Sequence, residues 1–186
     1  MVDRVNGRAT FAVIERGPMN RGDEIVCETG QGDNALYRLT YVSDIISSSA
    51  NELDYTLRQI LIQSHVLNSR DGITGFLVTY RGWYAQVLEG PRAAVDECYA
   101  RIARDQRHAS PEVKSRGLVG LRLFPQWSMC GLTLSARDAG VLKSAEQGFD
   151  LDLRAASPPT LIQFLDTLSR RYNDQVDRLY RALKEV

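Results

Sequence analysis

Histidine and cysteine are scarce in this chain: two of the first, His65 and His108, and three of the second, Cys27, Cys98 and Cys130. Two histidines with no H-E-x-x-H or similar spacing argue against a metal site built by the protein. Three widely spaced cysteines, odd in number and without a C-x-x-C, give no disulfide framework and point to a reducing, cytoplasmic setting. Charge of one sign is missing too. Lys+Arg and Asp+Glu stand at 23 each, so no global field recruits nucleic acid or an anionic membrane. No apolar run approaches the ~20 residues of a membrane span, and no signal-peptide core follows the N-terminus. Catalytic signatures are equally absent: no nucleophile–base pair, no paired carboxylates, no G-x-G-x-x-G and no P-loop. A chain of 186 residues suits one domain with appendages, large enough to bury a core.

What is present sorts into three parts. Residues 1–34 read as an N-terminal extension of unknown role, rich in Gly, Arg, Asp and Glu. From residue 35 the pattern sharpens. Leu36 to Ser43 alternates and reads as a strand, and Ser49-Ala50-Asn51-Glu52 fits a capping box opening a helix. That helix carries Leu53, Leu57, Ile60 and Leu61, then Ser64 and Asn68, on one stripe. Ile73–Tyr80 reads as a strand, Arg81-Gly82 as a tight hairpin, and the run from Trp83 to Gly90 as a central strand. A second helix is marked by Val95, Cys98, Tyr99 and Ile102, and two further strands are expected over Val113–Phe124 and Trp127–Leu134. This predicts an α+β fold, a ferredoxin-like βαββαββ mixed five-stranded sheet with two helices on one face.

Residues 136–186 read as a C-terminal helical segment. A short helix is expected over 138–148, and Ser157-Pro158-Pro159 caps a long one running to about residue 185. Leu161, Leu165, Leu168, Tyr172, Leu179, Ala182 and Val186 fall on heptad a/d positions, interrupted by Gln175. Such a stripe either covers the open face of the sheet or drives self-association, and the two are compatible.

Gln86 is the most telling residue. Alternation places Tyr84, Gln86 and Leu88 on one face of the central strand. A carboxamide there brings two donors and an acceptor into apolar surroundings, and each unpaired group costs roughly 1–3 kcal/mol. Something polar must meet it. Tyr41 ends the first strand on the face of Tyr37 and Leu39; Ser64 and Asn68 close the apolar stripe of the first helix. Arg101, Asp105, Arg107 and His108 crowd the end of the second helix, and Trp127 and Met129, two apart in an expected strand, project to one face. Singly, each has a plainer reading: Tyr41 as sheet packing, Asn68 as a helix C-cap, Ser64 as an exposed residue, Trp127 and Met129 as core, and 101–108 as a solvated surface. Jointly they surround the layer between sheet and helices with groups suited to a planar heterocycle.

The stretches L-Y-R-L-T-Y-V-S (36–43), N-S-R-D-G-I-T-G-F-L (68–77), Q-V-L-E-G (86–90), R-I-A-R-D-Q-R-H (101–108) and W-S-M (127–129) resemble the BLUF family of flavin-based blue-light sensors. The resemblance implies a BLUF photosensor domain over 35–135 that binds FAD non-covalently, with FMN or riboflavin as other candidates. It implies that Tyr41 donates an electron and a proton to the excited flavin, and that Gln86 bridges this tyrosine and the flavin edge. It implies further that Asn68, Ser64, Arg101, Asp105, Arg107 and His108 contact the flavin, and that Trp127 and Met129 relay the signal. By the same resemblance the chain is not an enzyme, is similar to short members, and acts on a downstream signalling protein, with homo-oligomers expected and neither nucleic acid nor membrane as a partner. The alternatives from other classes are a small flavin-dependent or acylphosphatase-like enzyme on the same fold, and a structural assembly module built on the long helix.

Overall fold

The computed structural model describes residues 35–46, 50–134 and 152–174, with 177, 178 and 181. The extension 1–34, the Ser49 cap, the 138–148 helix and the heptad positions Gln175, Leu179, Ala182 and Val186 lie outside the described residues.

The elements follow the order expected: β1 (Leu36–Ile45), α1 (Ala50–Arg70), β2 (Thr74–Tyr80), β3 (Trp83–Pro91), α2 (Arg92–Ile102), β4 (His108–Leu118), β5 (Cys130–Thr133) and α3 (Pro158–Arg171). They build one five-stranded sheet in the order β4-β1-β3-β2-β5. β3 is its central strand, antiparallel to β1 and β2, and only the β2–β5 pair is parallel. The β2–β3 hairpin turns at Arg81 and Gly82, both with positive φ (50° and 84°), which is the pairing a two-residue type I′ turn demands.

The side-chain period of two divides the core. Tyr37, Leu39, Tyr41, Leu77, Tyr84 and Leu88 face one way, where Leu57 and Leu61 of α1 and Val95 and Cys98 of α2 cover them. Val42, Phe76, Val78, Ala85 and Val87 face the other way, under Leu161, Phe164, Leu165 and Leu168 of α3. The C-terminal stripe therefore covers the sheet's second face. Ser157 caps α3 by accepting from the Thr160 N–H, with Pro158 and Pro159 opening the first turn. The helix breaks at Tyr172 (φ −106°, ψ 18°), and helical backbone resumes beyond it.

Two strands differ from expectation. β4 starts five residues early, at His108, and ends at Leu118 instead of Phe124. As an edge strand it tolerates Pro111, and the register shift opposite Val42 and Asp44 is absorbed next to Ser110, whose φ is 49°. β5 begins at Cys130, three residues late. The segment between them does not extend β4, because the fully buried Glu89 carboxylate accepts from the backbone N–H groups of Leu123 and Phe124 at 2.9–3.0 Å. The same carboxylate takes the Arg38 Nε at 2.7 Å. A buried charge so fully bonded avoids the penalty of an unpaired one and fixes the path of residues 121–129.

That path corrects a further expectation. Trp127 and Met129 do not project to one face, because neither lies in a strand. Trp127 packs against Phe76 and Phe124 on the α3 side, with ring centroids 5.6 and 6.3 Å away, whereas Met129 lies on the α1/α2 side.

Candidate functional site

Strand register brings the first pair together. Tyr41 of β1 sits directly opposite Gln86 of β3, and both point to the face covered by α1 and α2. The Tyr41 hydroxyl donates to Gln86 Oε1. The other end of the carboxamide is engaged as well: Gln86 Nε2 donates to Met129 Sδ at 3.0 Å. The buried amide thus has partners at both ends, as its desolvation requires.

Asn68 supplies a second buried amide. It lies within the last turn of α1 and not at its cap, 1% exposed, and its Nδ2 donates to the Ser128 carbonyl at 3.0 Å. Its Oδ1 accepts the Cys98 thiol at 3.6 Å. Ser69 Oγ bonds Ser128 Oγ at 2.7 Å, and the Gly75 N–H donates to the Trp127 carbonyl at 3.0 Å. Residues 127–129 are therefore held by both site amides. On the opposite side of the sheet, Trp127 Nε1 donates to Asp177 Oδ1 at 2.9 Å, which ties the same segment to the chain beyond α3.

A cleft lies between the sheet, α1 and α2. Tyr41, Ser64, Asn68, Gln86, Arg101, Asp105, Arg107 and His108 all line it. The sequence-predicted site residues converge, apart from Trp127 and Met129, which lie behind it. Ile60, Leu67, Leu77 and Ile102 form apolar walls. The mix of apolar wall with a few directed polar groups suits a planar ligand.

The charged residues of the cleft are paired. The backbone N–H and guanidinium of Arg107 both donate to the Asp105 carboxylate, which holds its carboxyl below the usual range, and Arg107 also reaches Gln63 Oε1 at 3.3 Å. Arg101 lies 3.6 Å from Asp71 and 3.4 Å from Glu97. His108 directs Nε2 at the Ile102 carbonyl, 2.7 Å away. Burial is the main cause that raises the Tyr41 phenol well above its ordinary pKa, with Cys98 and Tyr99 adding to it. The group therefore remains protonated, a donor, through the physiological range.

Three residues escaped the sequence reading. Tyr84 lines the cleft two positions before Gln86 on the same face, a place that alternation had already marked. Cys98 also lines it; the sequence places it on the buried stripe of α2 and gives it no role. Glu89 carries no local signal at all, since its partners lie 34 and 35 residues further along the chain.

A flavin fits these groups on a structural criterion. The Tyr84 hydroxyl and His108 Nδ1 are buried in the cleft lining and have no hydrogen-bond partner among the described residues, which is the condition of groups placed to meet a ligand.

Known proteins lead to the same place. A family model described as "Sensors of blue-light using FAD" matches residues 36–130, about half of the chain. The photoactivated adenylate cyclase subunit beta of Euglena gracilis is 33% identical over 103 residues, which are 55% of this chain and 12% of that protein. The chain thus spans only about an eighth of the curated relatives it matches first. Among solved structures, BlrB, described as a BLUF protein in its dark state, is 29% identical with a TM-score of 0.62, covering 75% of this chain and 99% of that one. The ground state of BlsA is 25% identical with a TM-score of 0.61, covering 72% and 87%. With a sheet of this order, a cleft of this lining and a family model over the same residues, the chain belongs to the BLUF family of flavin-based blue-light sensors.

Proposed function

We propose that this chain is a blue-light photoreceptor that is not itself an enzyme, and that Tyr41 and Gln86 carry its photochemistry. The observation behind this is the Tyr41–Gln86 bond in the cleft between the sheet, α1 and α2, continued from Gln86 Nε2 to Met129. A bound flavin supplies absorption of blue light and an electron-accepting excited state. Tyr41 is the oxidisable group beside it, which would give an electron and its hydroxyl proton towards the flavin and recover both once Gln86 has turned. Gln86 then reorients. Rotated by half a turn, the carboxamide sets Nε2 against the tyrosine oxygen and Oε1 against the Met129 sulfur. The N–H···S contact is lost and Met129 is pushed from its place.

Magnitudes set the reach of this step. Rewiring one or two neutral hydrogen bonds is worth about 1–3 kcal/mol. A switch from 1:99 to 99:1 takes about 5.5 kcal/mol, so a second element must add its own bias. Residues 127–129 are that element on this reading: Met129 and Ser128 touch the two site amides, and Trp127 reaches Asp177. The domains divide accordingly, 35–135 as the photosensor and 136–186 as the cap through which light alters contact with a downstream signalling protein or a second copy.

Ser64, Asn68, Arg101, Asp105, Arg107 and His108 hold the flavin, FAD being the form the family description names. No helix among the described residues is long and apolar enough to cross a membrane. A light-minus-dark absorption spectrum tests the proposal. Wild-type protein gives a reversible red shift, and Gln86→Leu binds flavin without shifting. Turnover of a substrate that ignores light would favour the small-enzyme reading instead.

A further inference from the structure

The photochemistry uses Tyr41 and leaves a second phenol in the cleft unexplained. Tyr84 is 3% exposed, and its hydroxyl has no partner among the described residues. A buried hydroxyl without a bond costs roughly 1–3 kcal/mol, and a ligand in the cleft that Tyr84 lines would offset that cost. His108 stands beside it, with ring centroids 6.2 Å apart and planes perpendicular. His108 Nε2 donates to the Ile102 carbonyl at 2.7 Å, which leaves Nδ1 as the ring's other polar atom. That atom, too, is buried and unpartnered among the described residues.

The place and chemistry of the pair limit the ligand group. Gln86 and Asn68 both bond to residues 127–129, so these amides lie at that end of the cleft. Tyr84 lies two residues further along β3, about 7 Å away at the usual strand rise, towards the Asp105–Arg107 pair. A phenol hydroxyl beside an imidazole nitrogen is met, whichever of the two donates, by a group that both accepts and donates. A ring carbonyl or a phosphate oxygen only accepts. Alcohol hydroxyls do both.

We propose that the Tyr84 hydroxyl, with His108 Nδ1, binds the polyol side chain of the flavin through its hydroxyls. Tyr84 is thereby a binding residue that selects for the chain and not for the ring. This rests on the flavin reading above and adds a contact to it.

The test titrates the full-length chain, freed of flavin, with riboflavin and with lumiflavin, which has the ring without the polyol. Tyr84→Phe weakens riboflavin binding by about tenfold, the factor that ~1.4 kcal/mol represents, and leaves lumiflavin within twofold. The Tm of the ligand-free variant equals or exceeds that of wild type, since the substitution removes an unmet polar group. Unchanged riboflavin affinity overturns the proposal, and so does equal weakening for both probes, which would place the contact on the ring. A lower ligand-free Tm would show a merely structural hydroxyl and also overturn it. Wild-type protein that binds neither probe overturns the flavin reading itself, and this contact with it.

Discussion

At the residue scale the molecule turns on groups whose burial sets their state. Gln86 is the clearest case. Its two ends meet Tyr41 and Met129, so replacing it with leucine removes the carboxamide that can offer either an acceptor or a donor to the same neighbour. The expected result is retained flavin and a flat light-minus-dark spectrum. Cys130 gives a prediction about pH. Burial pushes its thiol up to about 12, whereas an exposed thiol in the unfolded chain titrates near 8.5. A pKa raised in the folded state means that the contribution is fully present below about pH 8.5 and is lost as pH rises towards 12. The Cys98 thiol and the Tyr41 and Tyr84 phenols are raised in the same direction, with burial as the first cause in each. Stability measured by denaturant unfolding therefore falls on the alkaline side, and Cys130→Ala makes that fall shallower. An alkaline slope identical in the two proteins would contradict this.

At the scale of elements, the approach of β2 to β3 depends on one small residue. A Cβ on Gly75 would lie 2.2 Å from the Val87 carbonyl oxygen, a backbone atom that no rotamer change can move aside. Gly75 also donates to Trp127, fixing the segment behind the site. Gly75→Ala is expected to cost roughly 3 kcal/mol or more, as overpacking against a rigid neighbour does, and to disturb the spectrum of bound flavin. Chemical denaturation reads the first and absorption the second. Glu89 works at this scale also. It joins Arg38 of β1 to the 121–124 segment, so one carboxylate decides where Phe124 and Trp127 can pack.

For the whole molecule, the sheet has two faces with two tasks. One carries the cleft between α1 and α2; the other is closed by α3 over Phe76, Phe124 and Trp127. Removal of residues 158–186 uncovers that second apolar face while leaving every cleft residue in place. The expected product is oligomeric or poorly soluble protein whose soluble fraction still shows the light-induced shift. Size-exclusion chromatography with in-line absorption measures both properties. A stable, soluble monomer would argue that α3 has no covering role.

What the sequence by itself determined is everything that depends on local period. Alternation along β1 and β3 placed Tyr41, Tyr84 and Gln86 on one face, and the 3.6-residue stripe of α1 turned Ser64 and Asn68 towards the same layer. Those relations hold wherever the strand or helix happens to lie, because they follow from backbone geometry alone. What only the tertiary structure decided is the course of residues 119–129. Their apolar and aromatic content suits a strand, yet the Glu89 carboxylate captures their N–H groups and separates Trp127 from Met129 across the sheet. A buried charge must be satisfied by whatever donors the fold brings to it, and no local pattern in the chain records which donors those will be.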